Sequence, residues 1–377
     1  MWRTTTILVA SVLALTAIGL VMLASTSSVH GLARFDDPHY FVRRQAVALL
    51  IGVVAALVAS RVSAAAWKQM ALPAAIAAFV LLVLVLVPGI GISVKGSRRW
   101  LSLGFTTIQP SELAKISLVM LLAWWMSRVR RRAGEWVPGL AIPCFLMGAL
   151  ILPVLAEPDF GTSILMGLVG FAVLWAGGTR FRHLLLAGAA AAGALTVLIM
   201  QNEVRYRRII AFRDPEAYAE REAFQLLNAI YAFVMGGGGG VGLGNSLQKR
   251  YYLPEAHNDF IFAIIGEELG LAASLGVVAL FAVFFFTGLR IAARAPDLFS
   301  RLFALGLTCM IAFQAAINIG VVTGSLPTKG IPLPFISYGG TSLVVSLTMV
   351  GMLVSVARHA GDADPTLTAV KDRVRRL

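Results

Sequence analysis

The 377-residue sequence predicts an all-α integral membrane protein of about ten transmembrane helices, with a large extracytoplasmic loop between helices seven and eight. Two observations carry that expectation. The composition is 58% hydrophobic and only 14% charged, far from that of a soluble globular chain. The apolar residues also fall in repeated runs close to the roughly 17–25 residues that cross a bilayer as helix. One polytopic membrane domain spanning 1–377 is therefore a simpler reading than several soluble domains.

The runs are 4–24, 46–60, 71–87, 113–126, 140–155, 163–177, 184–200, 260–289, 302–323 and 342–356. Pro and Gly within them are compatible with helix in lipid. The first run follows Arg3 and exceeds the roughly 7–15 apolar residues of a cleavable signal, so it reads as a signal-anchor. Cys144 and Cys309 both fall inside spans, where a buried apolar role is expected rather than a disulfide. No internal repeat of the inverted-transporter kind is visible.

Ten spans place both termini on one side. That side carries most of the basic residues, including Arg128, Arg130, Arg131 and Arg132, and a tail with Lys371, Arg373, Arg375 and Arg376. On the other side, bases and acids nearly balance. The asymmetry makes both termini cytoplasmic and puts almost all of the net charge of +13 there. Such charge suits anionic lipid headgroups, and no nucleic-acid motif accompanies it.

The polar segments then gather on the outer face: GISVKGSRRWLSLGFTTIQPSELAK after span three, AEPDFGT after span five, the loop 201–257 after span seven, and TGSLPTKGIPLPFISYGGTS after span nine. Each is rich in Gly and Pro, as fixed turns require. Within 201–257 the stretch 222–235 has Phe224, Leu227, Ile230, Tyr231 and Val234 on one helical face, suited to the membrane interface. The glycine-rich MGGGGGVGLGNS that follows, 235–246, reads either as a flexible hinge or as a phosphate-cradling loop.

Candidate functional residues come from these segments. Asp259 opens span eight, where it reads equally as a helix N-cap and as a general base reachable by a substrate headgroup. Glu267 and Glu268 lie deeper: helical spacing puts Glu267 about 80° around and about 12 Å below Asp259, and Glu268 on the opposite face. Hydrogen bonding between helices is the favoured role for this pair, with a proton relay as the alternative. Glu112 and Lys115, three apart behind Pro110, form either an internal ion pair or part of an active-site rim. Asp159, between Pro158 and Gly161, reads as a turn former or a site residue. Lys95, Arg98 and Arg99, then Arg205, Arg207 and Arg208, then Lys329, place cations in three outer loops. Each alone suits a headgroup-level charge; together they suit a lipid-linked phosphate or diphosphate. His257 has no His or Cys cluster around it, which disfavours a structural metal; carboxylates would suit a hard divalent cation, and no cofactor is otherwise indicated.

GSRRWLSLGFTTIQPSELAK, EPDFGT, YYLPEAHNDFIFAIIGEELG and GSLPTKGIPLPFISYGGTS, in this order and on one face, resemble the SEDS family of bacterial cell-wall glycan polymerases over nearly the whole chain. The TKGIPLPFISYGG and PEAHNDF forms are closer to the cell-division branch than to the elongation branch. The resemblance implies polymerisation of lipid II at the outer leaflet of the bacterial cytoplasmic membrane, at the division septum. It implies that Asp259 is the essential aspartate, that Glu112 and Lys115 line the same cavity, and that Ser337, in FISYGG, belongs to the substrate site. Partners so implied are a class B penicillin-binding protein and other division membrane proteins; the chain has no Ser-x-x-Lys transpeptidase site of its own. Two positions depart from the family pattern: Glu157, where Gln is common, and Asn258, where a small hydroxyl residue is often found. A lipid II flippase, favoured by Glu267 and Glu268, and a non-catalytic division scaffold are the rival readings.

Overall fold

The structure, a computed structural model, describes residues 1–94, 97–102, 104, 107–253 and 256–362. Each of the ten apolar runs is a helix: α1 Trp2–Phe35, α2 Tyr40–Arg61, α3 Ala64–Leu86, α4 Pro110–Arg128, α5 Ile142–Ala156, α6 Phe160–Ala176, α7 Phe181–Met200, then α11 Ile261–Ala293, α12 Leu298–Val322 and α13 Gly340–Asp362. Between α7 and α11 lie three shorter helices, α8 Glu203–Arg213, α9 Phe224–Gly236 and α10 Gln248–Tyr251. Eight helices among the described residues are long and apolar enough to cross a membrane. The chain is a multi-pass membrane protein. The 17-residue α6 and α4, which carries Glu112 and Lys115, complete the bundle.

The long segment between α3 and α4, expected as a loop, contains a three-stranded antiparallel sheet: β1 Gly91–Val94, β2 Ser97–Ser102 and β3 Thr107–Ile108, in the order β1-β2-β3. Gly91 pairs with Leu101 and Leu101 with Ile108. Strands this short leave little periodic signal in the sequence, and the pairing satisfies backbone groups that a bare loop would leave to solvent.

The core runs through α4 and α12. α4 packs against α3, α5, α6 and α12; α12 also meets α11 and α13. α2 and α13 form the most extensive helix pair, with Gly52 and Ala56 of α2 meeting Val344, Leu347 and Gly351 of α13. Small residues at such crossings let the backbones approach, which is how helices gain dispersion energy where lipid is as apolar as Leu. α7 is the outlier, with almost all of its surface outside the bundle.

α9 begins within two residues of the expected stretch, but its packing face is the small one. Ala229, Ala232 and Gly236 are buried, whereas Tyr231 and Val234 point away. α9 runs along the first turns of α11 and meets it at Gly266. Beyond it, the glycine-rich stretch is laid against a break in α11. Gly270 has φ 77 inside that helix, and around it Val241 N donates to Glu267 O (2.9 Å), Gly242 N to Glu268 O (3.0 Å) and Leu271 N to Gly237 O (3.0 Å). A side-chain carbon at Gly240 would lie 2.3 Å from the Glu268 carbonyl oxygen, so only glycine permits this approach.

Glu267 and Glu268 hold the same segment. Glu267 accepts from Leu247 N (2.9 Å), Gln248 N (3.4 Å) and the Ser246 hydroxyl. Glu268 pairs with the buried Lys249 and accepts from Ser25 Oγ of α1 at 2.7 and 2.9 Å. Non-helical backbone among membrane helices must have its amides satisfied by protein, and these carboxylates supply the acceptors.

Candidate functional site

The loops between α3 and α4, α5 and α6, α7 and α11, and α12 and α13 meet at one end of the bundle. Asp259 lies there in the turn before α11, partly exposed. It is not the N-cap: α11 starts at Ile261, Phe260 holds the cap position, and no side chain caps it. The helix begins one residue later than the sequence pattern implies, which places Asp259 just before the cap position.

Three successive carbonyls fix this turn. His257 O accepts from Tyr338 N (3.0 Å), Asn258 O from Ser337 Oγ (2.7 Å) and Asp259 O from Asn318 Nδ2 (2.8 Å). Ser337 is buried and its hydroxyl also accepts from Leu333 N (2.8 Å), so both of its functions hold backbone. Gln45 of α2 grips the same segment, donating to Ser337 O and accepting from Gly339 N, each at 3.2 Å. Across the turn, Gly330 lies so near the carboxylate that an added side-chain carbon would be 2.8 Å from Asp259 Oδ2.

The neighbouring region gathers cations from several loops. Asp159 caps α6, accepting from Thr162 N (3.1 Å) and Thr162 Oγ1 (3.0 Å), so its turn-forming role is realised. Arg99 of β2 donates to Glu157 O (3.0 Å) and Pro158 O (2.9 Å) and reaches Asp159 at 4.0 Å. Arg205 of α8 lies 3.7 Å from the centroid of the Phe160 ring, beside Asp159 in sequence. Burial pulls the Lys329 ammonium below the usual lysine range, while the Asp159 charge acts the other way. Four loops thus bring Arg99, Asp159, Arg205 and Lys329 around the start of α6. Arg98 and Arg208 are exposed, Arg207 pairs with Glu203, and Lys95 lies outside the described residues.

Glu157 is buried beside this cluster, with neither carboxylate oxygen hydrogen-bonded. Burial first, then the Asp159 charge, push its carboxyl up to about 8, with Arg99 opposing. Glu112 and Lys115 form a buried ion pair at 2.8 Å, and Lys115 Nζ also donates to Gln314 Oε1 (2.8 Å). Gln314 in turn donates to Pro332 O (2.9 Å), so the pair reaches the loop after α12 through an amide. Among the described residues, no group of three or more His, Cys, Asp or Glu side chains is arranged to hold a metal ion.

Sequence reasoning passed over Gln45, Gln314, Asn318 and Lys249. Gln314 and Asn318 were visible as polar side chains inside an apolar span, a rare and costly placement, and Gln45 stands at the edge of one.

The FtsW/RodA/SpoVE cell cycle protein family matches residues 5–362. The chain belongs to this family. That is the SEDS family the motifs resemble. A probable peptidoglycan glycosyltransferase FtsW of Trichlorobacter lovleyi is 40% identical over 355 residues, 93% of this chain and 92% of that protein. Stage V sporulation protein E of Bacillus subtilis is 38% identical over 354 residues, 94% of this chain and 97% of that one. Among solved structures, a chain from a peptidoglycan synthase complex that coordinates polymerization and crosslinking superposes with a TM-score of 0.79. It is 29% identical, covering 94% of this chain and 97% of that chain. The rod shape determining protein RodA of Thermus thermophilus gives a TM-score of 0.69 at 28% identity, with 94% and 96% covered. The ten-helix arrangement is therefore the SEDS fold.

Proposed function

We propose that this SEDS protein is a peptidoglycan glycosyltransferase that polymerises lipid II into glycan strands, with Asp259 as general base. The observation that carries the reading is the placement of Asp259: a partly exposed carboxylate in a turn held at three successive carbonyls, at the end of the bundle where Arg99, Arg205 and Lys329 gather. In the proposed reaction Asp259 takes the proton from the 4-hydroxyl of the acceptor sugar. The oxygen attacks the anomeric carbon of the donor, and the bond to the lipid diphosphate breaks with inversion. General-base catalysis is worth about 10²–10⁴ in rate, so positioning and stabilisation of the leaving diphosphate supply much of the remainder. The loop cations are suited to that second task, and Glu112 and Lys115 support the site through Gln314.

The whole chain is read as one membrane domain, with the segment 201–257 as its extracytoplasmic extension and both termini in the cytoplasm. The basic loops at the opposite end support that orientation. The relatives named FtsW support a role at the division septum, and the peptidoglycan synthase complex supports a class B penicillin-binding protein as partner. The flippase reading drew mainly on Glu267 and Glu268, and both carboxylates are engaged in holding the glycine-rich segment.

The test is reconstitution with the transpeptidase partner and lipid II. Wild-type protein is expected to make glycan polymer, and Asp259→Ala and Asp259→Asn to make none while remaining folded. Full polymerisation by folded Asp259→Ala would sink the assignment, and lipid II translocation without polymer would favour the flippase.

A further inference from the structure

The two chain segments that flank the Asp259 carboxylate are loops without a hydrogen-bonded ladder of their own: the turn 256–260, and the Gly- and Pro-containing stretch from Lys329 to Pro334. One side chain joins them. Asn318 of α12 is 1% exposed, and its Nδ2 donates to Asp259 O at 2.8 Å and to Ile331 O at 2.7 Å. Both partners are carbonyl oxygens, so the amide nitrogen must face them and the orientation of the amide is forced. Its Oδ1 is buried with no hydrogen-bond partner, so the side chain serves here as a double donor.

That geometry has a consequence for the carboxylate. Gly330 immediately precedes Ile331 and walls Asp259 Oδ2. The two hydrogens of a single amide therefore set how far the aspartate stands from the chain that faces it. A primary amide is suited to this because its two N–H vectors diverge in one plane; a hydroxyl offers one donor and an ionised carboxylate none. One helical turn away, Gln314 is 2% exposed and holds Pro332 O, the carbonyl next along, while accepting from Lys115.

We propose that Asn318 is a positioning residue for Asp259, clamping the turn that carries the carboxylate to the loop that walls it. The inference rests on Asp259 being the base. Misplacement of a reacting group by about 1 Å can cost about 10²-fold in rate. Asn318→Ala and Asn318→Asp are accordingly expected to lower kcat of the full chain with its partner by about 10²-fold, with KM for lipid II unchanged. Asn318→Ser, which retains one donor, falls between them and wild type. Hydrogen–deuterium exchange is expected to rise together in 256–260 and 328–336 in the Ala and Ser variants, with the rest of the chain exchanging as in wild type. Gly330→Ala approaches the same carboxylate from the other side and is expected to lower kcat without raising exchange.

If Asn318→Asp does not fold, the Ser variant carries the same comparison. Unchanged exchange in either segment, or a loss of activity that appears in KM rather than kcat, overturns the clamp. Polymerisation by Asp259→Ala overturns the base assignment alone, because the exchange measurement does not depend on turnover.

Discussion

The pairing of Lys249 with Glu268 offers a quantitative test of what holds the glycine-rich segment against the broken α11. Their side chains are 3% and 0% exposed. Lys249 Nζ donates to Glu268 and to Ser25 Oγ at 2.7 Å, and the Glu268 oxygens otherwise have the Ser25 hydroxyl and Ser246 N at 3.4 Å. Lys249→Met leaves a buried carboxylate with only these neutral donors. Removing one member of a buried pair typically costs about 3–5 kcal/mol, because the survivor keeps its desolvation penalty without its counter-charge. Glu268→Gln strands the ammonium in the same way. The double variant Lys249→Met/Glu268→Gln removes both charges at similar volume, so it should lose less than the sum of the singles, with a coupling of about 1–3 kcal/mol. Unfolding in detergent micelles, followed for all four proteins, measures the cycle. Single variants within about 0.5 kcal/mol of wild type, or strictly additive effects, would refute the reasoning.

Two further outcomes follow from the same loop-rich end. The Glu157 carboxyl is held near 8 against an ordinary value of 4.5, so the native state retains a proton that the unfolded chain gives up. Stability should therefore fall as pH rises from about 4.5 to 8, and Glu157→Gln should flatten that dependence and stabilise by on the order of 3 kcal/mol near pH 7.5. Parallel pH–stability curves for the two proteins would contradict it. At the helix break, Gly270→Ala forces a side chain onto φ 77, ψ −174 and within 2.4 Å of Gly240 N. A loss of about 3 kcal/mol or more is expected, against little change for Gly276→Ala, which meets nothing within 4 Å; equal melting temperatures would count against the packing described.

What was legible in the sequence was local. Each apolar run became a helix because lipid offers no partner for a free amide, so a long enough apolar segment must close its hydrogen bonds within itself. The polar loops could be assigned to one end because spans alternate in direction. Asp259 could be singled out because a carboxylate at the mouth of an apolar helix is costly unless it is used. Even here the boundary differs by one residue, and the cap position falls to Phe260 in place of Asp259.

The remainder depended on chain reversal. Glu267 meets Leu247, and Glu268 meets Ser25, across 20 and 243 positions of sequence, distances at which periodicity carries no information. The glycines at 236–240 read as freedom in isolation; packed against α11, Gly236 and Gly240 lie too close to its backbone for any side chain to fit. Asn318 and Gln314 were visible as amides in an apolar helix, yet their partners are carbonyls of other segments, and a backbone carbonyl has no signature in the sequence. Hydropathy along the chain determined the helices and the end of the bundle where the polar loops gather. The packing of those helices decided which polar groups are engaged in holding backbone and which remain at the mouth, because a buried hydrogen bond is specified by geometry between segments and not by the identity of either residue alone.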